Sequence, residues 1–233
     1  MPNINPPIEI LFEDEFILAV NKPAGLASQS SADKKHPDLM SVLQSQMKGP
    51  LFLHHRLDRD TSGLMLLVKN PKANAPMTEI FREHQIQKTY WALTRPPEEI
   101  ISEDHWEVEN HLIRRRKNFG SVKVFRTEQG GDFAHTRFQI LKKSPDAFLI
   151  QAEPLTGRTH QIRVHCLNSG IPILGDSLYG GKDPRAPRLM LHAESLSFKH
   201  PIHQQKMQLK APLPQDFADL LNNWALTPSF KKP

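Results

Sequence analysis

Residues 54–63 read His-His-Arg-Leu-Asp-Arg-Asp-Thr-Ser-Gly and run directly into Leu64-Met65-Leu66-Leu67-Val68. Two acids and two arginines thus meet a small Thr-Ser-Gly turn that delivers the chain into an apolar run of strand length. Five successive apolar residues of this kind belong inside a sheet, so the charges before them are held at the edge of a core. Taken without further context, such a cluster reads either as a solvated loop of mutually paired charges or as a site.

Short β-prone runs recur on both sides. Ile8 to Phe12 and Phe16 to Val20, separated by Glu13-Asp14-Glu15, read as a hairpin, and Ser195 to Phe198 with Met207 to Leu209 read as another around His200-Pro201-Ile202-His203. Gln87 to Leu93 returns to strand character, and Phe133 to Leu141 with Ala147 to Ala152 alternate as two adjacent central strands. Helical spacing marks Leu39, Val42, Leu43 and Met47, then Met77, Ile80 and Phe81, then the closing stretch Phe217 to Trp224. Between residues 95 and 133 the pattern is less regular: strand-like pieces near Trp106 to Val108 and Val122 to Phe125 read as arms extending from the main sheet. Beside them runs Arg114-Arg115-Arg116-Lys117, either a solvated face or a phosphate-contacting patch.

Thr156-Gly157-Arg158-Thr159-His160-Gln161-Ile162-Arg163-Val164-His165 reads as a turn opening a helix. Thr159 is placed to cap its amides, and Thr159 and Arg163, four apart, share a face with His160 and Val164 beside them. With Arg158 and Arg163 adding positive charge, this is either an anion site or a capped helix with two solvated arginines.

Thirty Lys plus Arg against twenty-five Asp plus Glu give +5, a mild vote for a polyanionic partner. No apolar run reaches membrane-spanning length, and Met1-Pro2-Asn3-Ile4-Asn5-Pro6-Pro7 has neither a basic nor an apolar targeting region, so a cytoplasmic location is expected. The single Cys166 excludes an internal disulfide. His160 with His165 and His200 with His203 do not match a zinc spacing, and there is no glycine-rich phosphate loop, so neither a metal nor a nucleotide cofactor is expected.

His-Arg-Leu-Asp-Arg-Asp-Thr-Ser-Gly closely resembles the signature of the RluA family of RNA pseudouridine synthases, in which the Asp of Arg-Leu-Asp, here Asp58, is catalytic. Asn21-Lys22-Pro23-Ala24-Gly25-Leu26 resembles the family's first motif, although a Pro-Gly turn beside a solvated lysine explains it equally well. Gln87-Lys88-Thr89-Tyr90-Trp91-Ala92-Leu93 resembles the second, whose Tyr lies against the target base. Thr156 to His165 resembles a third motif, whose second Arg, here Arg163, pairs with the catalytic Asp; Leu191 resembles the apolar residue that packs by the active site. The resemblance runs from about residue 8 to about residue 221.

It implies an α/β (α+β) fold, the pseudouridine synthase fold: a central, mainly antiparallel mixed sheet with flanking helices and an active-site cleft across it. Residues 1–233 are expected to form a single catalytic domain, ordered from about 8 to 224, monomeric and without an S4-like RNA-binding module. The implied reaction converts uridine in RNA to pseudouridine without a cofactor. Asp58 acts as nucleophile on the ribose or as base at a sugar carbon, Arg163 keeps it ionised, and Tyr90 stacks on the uracil, with its hydroxyl able to serve as base for the sugar or C5 proton. Arg56 fills the space left by the flipped base, and Arg158, His160, Leu191 and the run Arg114, Arg115, Arg116 and Lys117 serve substrate or RNA binding. Asp60 is left as a local ion-pair partner. tRNA is the first expected target and 23S rRNA the second; the competing readings are a non-catalytic RNA-binding protein and a nucleoside or glycoside hydrolase.

Overall fold

The first hairpin forms as the alternation requires: β1 (Glu9–Glu13) and β2 (Ile17–Lys22) pair antiparallel, and Asp14 closes the turn by accepting the amides of Phe16 and Ile17. A computed structural model describes residues 7–29, 37–98, 103–116 and 122–228 of the chain. Asp38 then opens α1 (Leu39–Gln46) through a capping box, accepting from the Ser41 amide while Ser41 Oγ accepts from its own. β3 (Phe52–Leu53) and β4 (Ser62–Val68) follow, then a 3-10 turn (Pro71–Ala73), α2 (Asn74–Arg82) and β5 (Gln87–Thr94). The remaining elements are β6 (His105–Arg116), β7 (Val122–Thr127), β8 (Asp132–Lys143), β9 (Phe148–Pro154), α3 (Gln161–Asn168), β10 (Leu191–Lys199), β11 (Lys206–Lys210) and α4 (Gln215–Asn223). The class is α+β. Among the described residues no helix is long and apolar enough to cross a membrane.

The chain divides into two compact units. The first, Met1–Lys88 with His192–Leu213, carries strands in the order β1-β2-β4-β10-β11, with β3 also paired to β4. β4 is buried at every position, which is why its sequence is continuously apolar. Ile17, Ala19, Leu64, Leu66 and Val68 meet Met77, Ile80, Leu196, Phe198 and Met207 in its core, each large side chain contributing about 1.5–3 kcal/mol. β10 joins β4 in parallel, His192 opposite Ser62 and Ala193 opposite Gly63, whereas the other strand pairs of this unit are antiparallel. Gly63 is what permits this approach: its φ is +114°, and a Cβ there would stand 2.3 Å from the Ala193 carbonyl oxygen.

The second unit, Thr89–Leu191 with Pro214–Pro233, carries the order β5-β9-β8-β6-β7, antiparallel throughout. The expected arms are in fact full-length strands. β6 pairs with β8 from His105 opposite Gln139 to Leu112 opposite Asp132, so the irregular 95–133 region supplies the outer half of this sheet. Leu112, Val124 and Ala134 on one face meet Val164 of α3 and Tyr179.

Candidate functional site

Asp58 lies in an irregular segment between β3 and β4, half-buried, directly after the buried Leu57. The backbone on both sides of it is clamped. Ser28 Oγ donates to the Leu57 carbonyl at 2.7 Å and accepts the Leu57 amide at 3.0 Å. The Arg59 carbonyl accepts the Gly25 amide at 2.9 Å and Lys22 Nζ at 3.0 Å. Lys22 is 0 % exposed and also donates to the carbonyls of Pro23 and Leu26, at 2.9 and 2.7 Å. It is therefore an internal tie between the Lys-Pro-Ala-Gly loop and the Asp58 loop, which corrects the expectation of a solvated lysine beside the turn.

Behind the loop, Ser62 Oγ sits 3.0 Å from His192 Nδ1, and the Leu66 amide donates to His55 Nε2 at 2.9 Å. Arg56 is exposed. Residues Arg59 and Asp60 form a turn, with the Thr61 amide donating to the Asp58 carbonyl at 3.2 Å, so the extended geometry that put Asp58 and Asp60 on one face does not hold. Among the described residues Asp60 has no ion-pair partner, which corrects that expectation.

In the second unit the predicted helix starts two residues later than Thr159. His160 occupies the N-cap position at φ +53° with no side-chain cap, so Thr159 neither caps α3 nor shares a helical face with Arg163. The entry is fixed instead by Gln161, 4 % exposed, whose carboxamide uses both donors and accepts twice. It donates to the His135 carbonyl and Thr136 Oγ1, both at 2.9 Å, and accepts from Thr156 Oγ1 at 2.7 Å and the Arg158 amide at 2.9 Å. Arg158 is exposed, with Nε donating to the Phe133 carbonyl at 2.9 Å, and His160 Nδ1 lies 2.9 Å from the Tyr179 hydroxyl.

Arg163 is buried, and Asp176 binds its Nε and Nη2, each at 2.8 Å. Asp176 also accepts the amides of Leu178 and Tyr179. This carboxylate was legible only as part of Ile171 to Asp176; nothing in its spacing tied it to an arginine thirteen residues away. Tyr90 is half-buried on β5 opposite Ala152, and Leu191 is buried at the start of β10. Arg114 and Arg115 are exposed at successive positions near the end of β6 and so face opposite sides of the sheet. Arg116 ends that strand, and Lys117 lies outside the described residues. Asp58 and Arg56 thus belong to the first unit, and Tyr90, Arg158, His160, Arg163 and the basic strand end to the second.

Residues 16–168, which include Asp58, Tyr90 and Arg163, match the model of the RNA pseudouridylate synthase family. The chain belongs to this family. It is 36 % identical over 214 residues to ribosomal large subunit pseudouridine synthase C of Vibrio cholerae, covering 88 % of this chain and 65 % of that protein. It is 35 % identical over 216 residues to an uncharacterized RNA pseudouridine synthase of Zymomonas mobilis, covering 91 % of this chain and 96 % of the relative. Among solved structures, human RNA pseudouridylate synthase domain containing 4 superposes with a TM-score of 0.74 at 26 % identity over 93 % of both chains. The RluA-type resemblance and the pseudouridine synthase fold expected from the motifs both agree with these matches.

For a family member, the buried groups of these loops set clear expectations. Replacing Lys22 by Met strips three carbonyls of a donor and is expected to cost roughly 3 kcal/mol in urea unfolding, with activity falling as the Asp58 loop loosens. Unchanged unfolding would mean the tie carries no load. Burial, with the nearby Lys88 charge, holds His55 down to about 3, and burial holds His165 down to about 4, beside the ordinary 6.5. Both stay neutral in the folded protein where the unfolded chain would protonate them. Their contribution is therefore present above pH 6.5 and lost as pH falls toward 4, so unfolding near pH 5 takes up about two protons. The slope of unfolding free energy against pH measures that number, and a flat profile between pH 6.5 and 4.5 contradicts it.

Among the described residues Glu107, Glu109 and His135 bring three potential metal-ligating atoms within 4.8 Å of one another. Glu107 is already engaged at both oxygens, accepting from Arg137 Nε at 2.9 Å on one and bonded to His135 Nε2 on the other, so the three groups form a paired surface cluster.

Proposed function

We propose that this protein is an RNA pseudouridine synthase that isomerises a uridine in structured RNA to pseudouridine, using Asp58 and no cofactor. The observation that carries the reading is the family match across residues 16–168, a span that includes Asp58, Tyr90 and Arg163. The N1 glycosidic bond breaks, the uracil turns, and C5 bonds to the same sugar carbon. Uracil leaves as a delocalised anion, so a second carboxylate to protonate it is dispensable, whereas water must be excluded because its capture of the sugar would leave an abasic site. Asp58 serves as nucleophile or base on the ribose, Arg163 supplies its counter-charge, and Tyr90 lies against the base. Arg56 takes the place of the extruded nucleotide, Arg158 and His160 act on the RNA side, and Leu191 lines the apolar wall.

For the substrate, the relatives named for the ribosomal large subunit support rRNA of that subunit, while the sequence reading favoured tRNA. We take structured RNA as the class and large-subunit rRNA as the first target to test. RNA carrying tritium at uridine C5 decides the reaction: tritium release without free uracil supports the synthase, and free uracil means a hydrolase. Binding of the RNA with neither product means a non-catalytic RNA-binding protein. Comparing pseudouridine positions in cells with and without the protein identifies the nucleotide.

A further inference from the structure

β7 ends the strand order of the second unit, so amides on its outer side face no further strand. One of them, Val124 N–H, donates to the Tyr179 hydroxyl at 2.7 Å. Tyr179 is 2 % exposed, its oxygen accepts that amide, and the same hydroxyl is hydrogen-bonded to His160 Nδ1 at 2.9 Å. The Arg163 guanidinium lies 5.1 Å from the centre of its ring and the Lys123 ammonium 5.3 Å. The Tyr179 amide is held by Asp176 at 3.1 Å, the same carboxylate that grips Arg163. One buried phenol therefore touches the hairpin that bears Arg114, Arg115 and Lys123, the entry of α3, and Arg163.

We propose that Tyr179 is a positioning residue that holds the basic β6–β7 hairpin in register with Arg163, so that phosphates bound on the hairpin are placed relative to the reacting uridine. The inference rests on the RNA-modifying reading above and extends it to how RNA is aligned. A two-stranded ribbon at a sheet edge is marginally ordered by itself. Its ordering would otherwise be charged to RNA binding, which weakens when cationic side chains must first be immobilised. Lys123 and Arg115 also flank the Phe125 ring, at 5.5 and 5.6 Å, so the cations of this face are already held in place around aromatic rings.

The test is Tyr179→Phe, which keeps the ring, its volume and both cation contacts and deletes only the hydroxyl. Filter binding of an unmodified large-subunit rRNA transcript is expected to show a dissociation constant about five- to ten-fold higher. The slope of its logarithm against log salt should be shallower by about one. Turnover at saturating RNA stays within about two-fold, so the loss falls on KM and not kcat. In an Arg114→Ala/Arg115→Ala/Lys123→Ala background the same change should add nothing further, because the tie then has none of these charges to place. Affinity and salt slope equal to wild type, or an undiminished loss in the triple-alanine background, overturn the proposal. If the Phe variant does not fold, amide exchange of the wild type decides. Val124 should exchange as slowly as interior positions of β8 and slower still with RNA bound, and exchange at open-edge rates or indifference to RNA overturns the tie. Affinity is read without turnover, so a protein that bound the transcript but released no tritium would sink the synthase assignment alone.

Discussion

Asp58→Asn is expected to abolish tritium release, a loss of about ten-thousand-fold or more, while RNA affinity and folding stay close to wild type. Asn has the shape of Asp and cannot act as nucleophile or base, so the substitution is aimed at the chemistry. The fold tolerates it because the clamps on this loop use backbone atoms: Leu57 is held by Ser28, and Arg59 by Lys22 and Gly25. None of those bonds involves the Asp58 carboxylate. Asp60→Asn is the control, exposed and separated from Asp58 by a turn; it should turn over at the wild-type rate. Thermal unfolding and filter binding establish that the Asp58 variant is intact, and residual turnover near wild type would remove Asp58 from the mechanism.

The sequence was most informative where burial is one-sided or total. The Leu64 to Val68 run, the hairpin of Ile8 to Val20 and the stripe Met77, Ile80 and Phe81 all fell where period and length put them. It was least informative where one buried polar side chain replaces a local rule. Thr159 before an apolar helix looks like an N-cap, but Gln161, from inside the first turn, reaches back to Thr156 and Arg158 and across to β8, leaving the N-cap to a left-handed His160. No spacing rule anticipates a glutamine whose partners lie twenty-five residues away. Lys22 is hard to read for the same reason, since lysine is rarely fully buried and carbonyls of its own and the Asp58 loop receive its ammonium. The family motifs singled out Asp58, Tyr90 and Arg163 as candidates, yet they did not point to Asp176 as the partner of Arg163, because a motif marks positions and not the groups that fix them.

Asp176→Asn is expected to have the second largest effect, and in the opposite pattern to Asp58→Asn: stability and rate should fall together. Arg163 and Asp176 are 8 and 1 % exposed, so their pairing takes place away from water. Removing one partner of such a pair leaves an uncompensated buried charge, typically at a cost of about 3–5 kcal/mol. An asparagine at this position can set its oxygen where Oδ1 accepts Arg163 Nη2 and the Leu178 and Tyr179 amides, but its NH2 then faces Arg163 Nε, donor against donor. The carboxylate engages the Nε and Nη2 edge of Arg163, and that grip fixes the guanidinium plane and the direction of the remaining nitrogen. With the edge released, the cation proposed to balance Asp58 loses its orientation, and a displacement of about 1 Å is enough to cost roughly 100-fold in rate. Urea unfolding and single-turnover tritium release, taken on the same preparation at a temperature where the variant is folded, separate the two losses. Asp176→Glu keeps the charge and should recover part of the stability without restoring the rate, because the longer arm moves the guanidinium. A variant that lost stability yet turned over like wild type would mean that the grip of Asp176 serves the fold and not the orientation of Arg163.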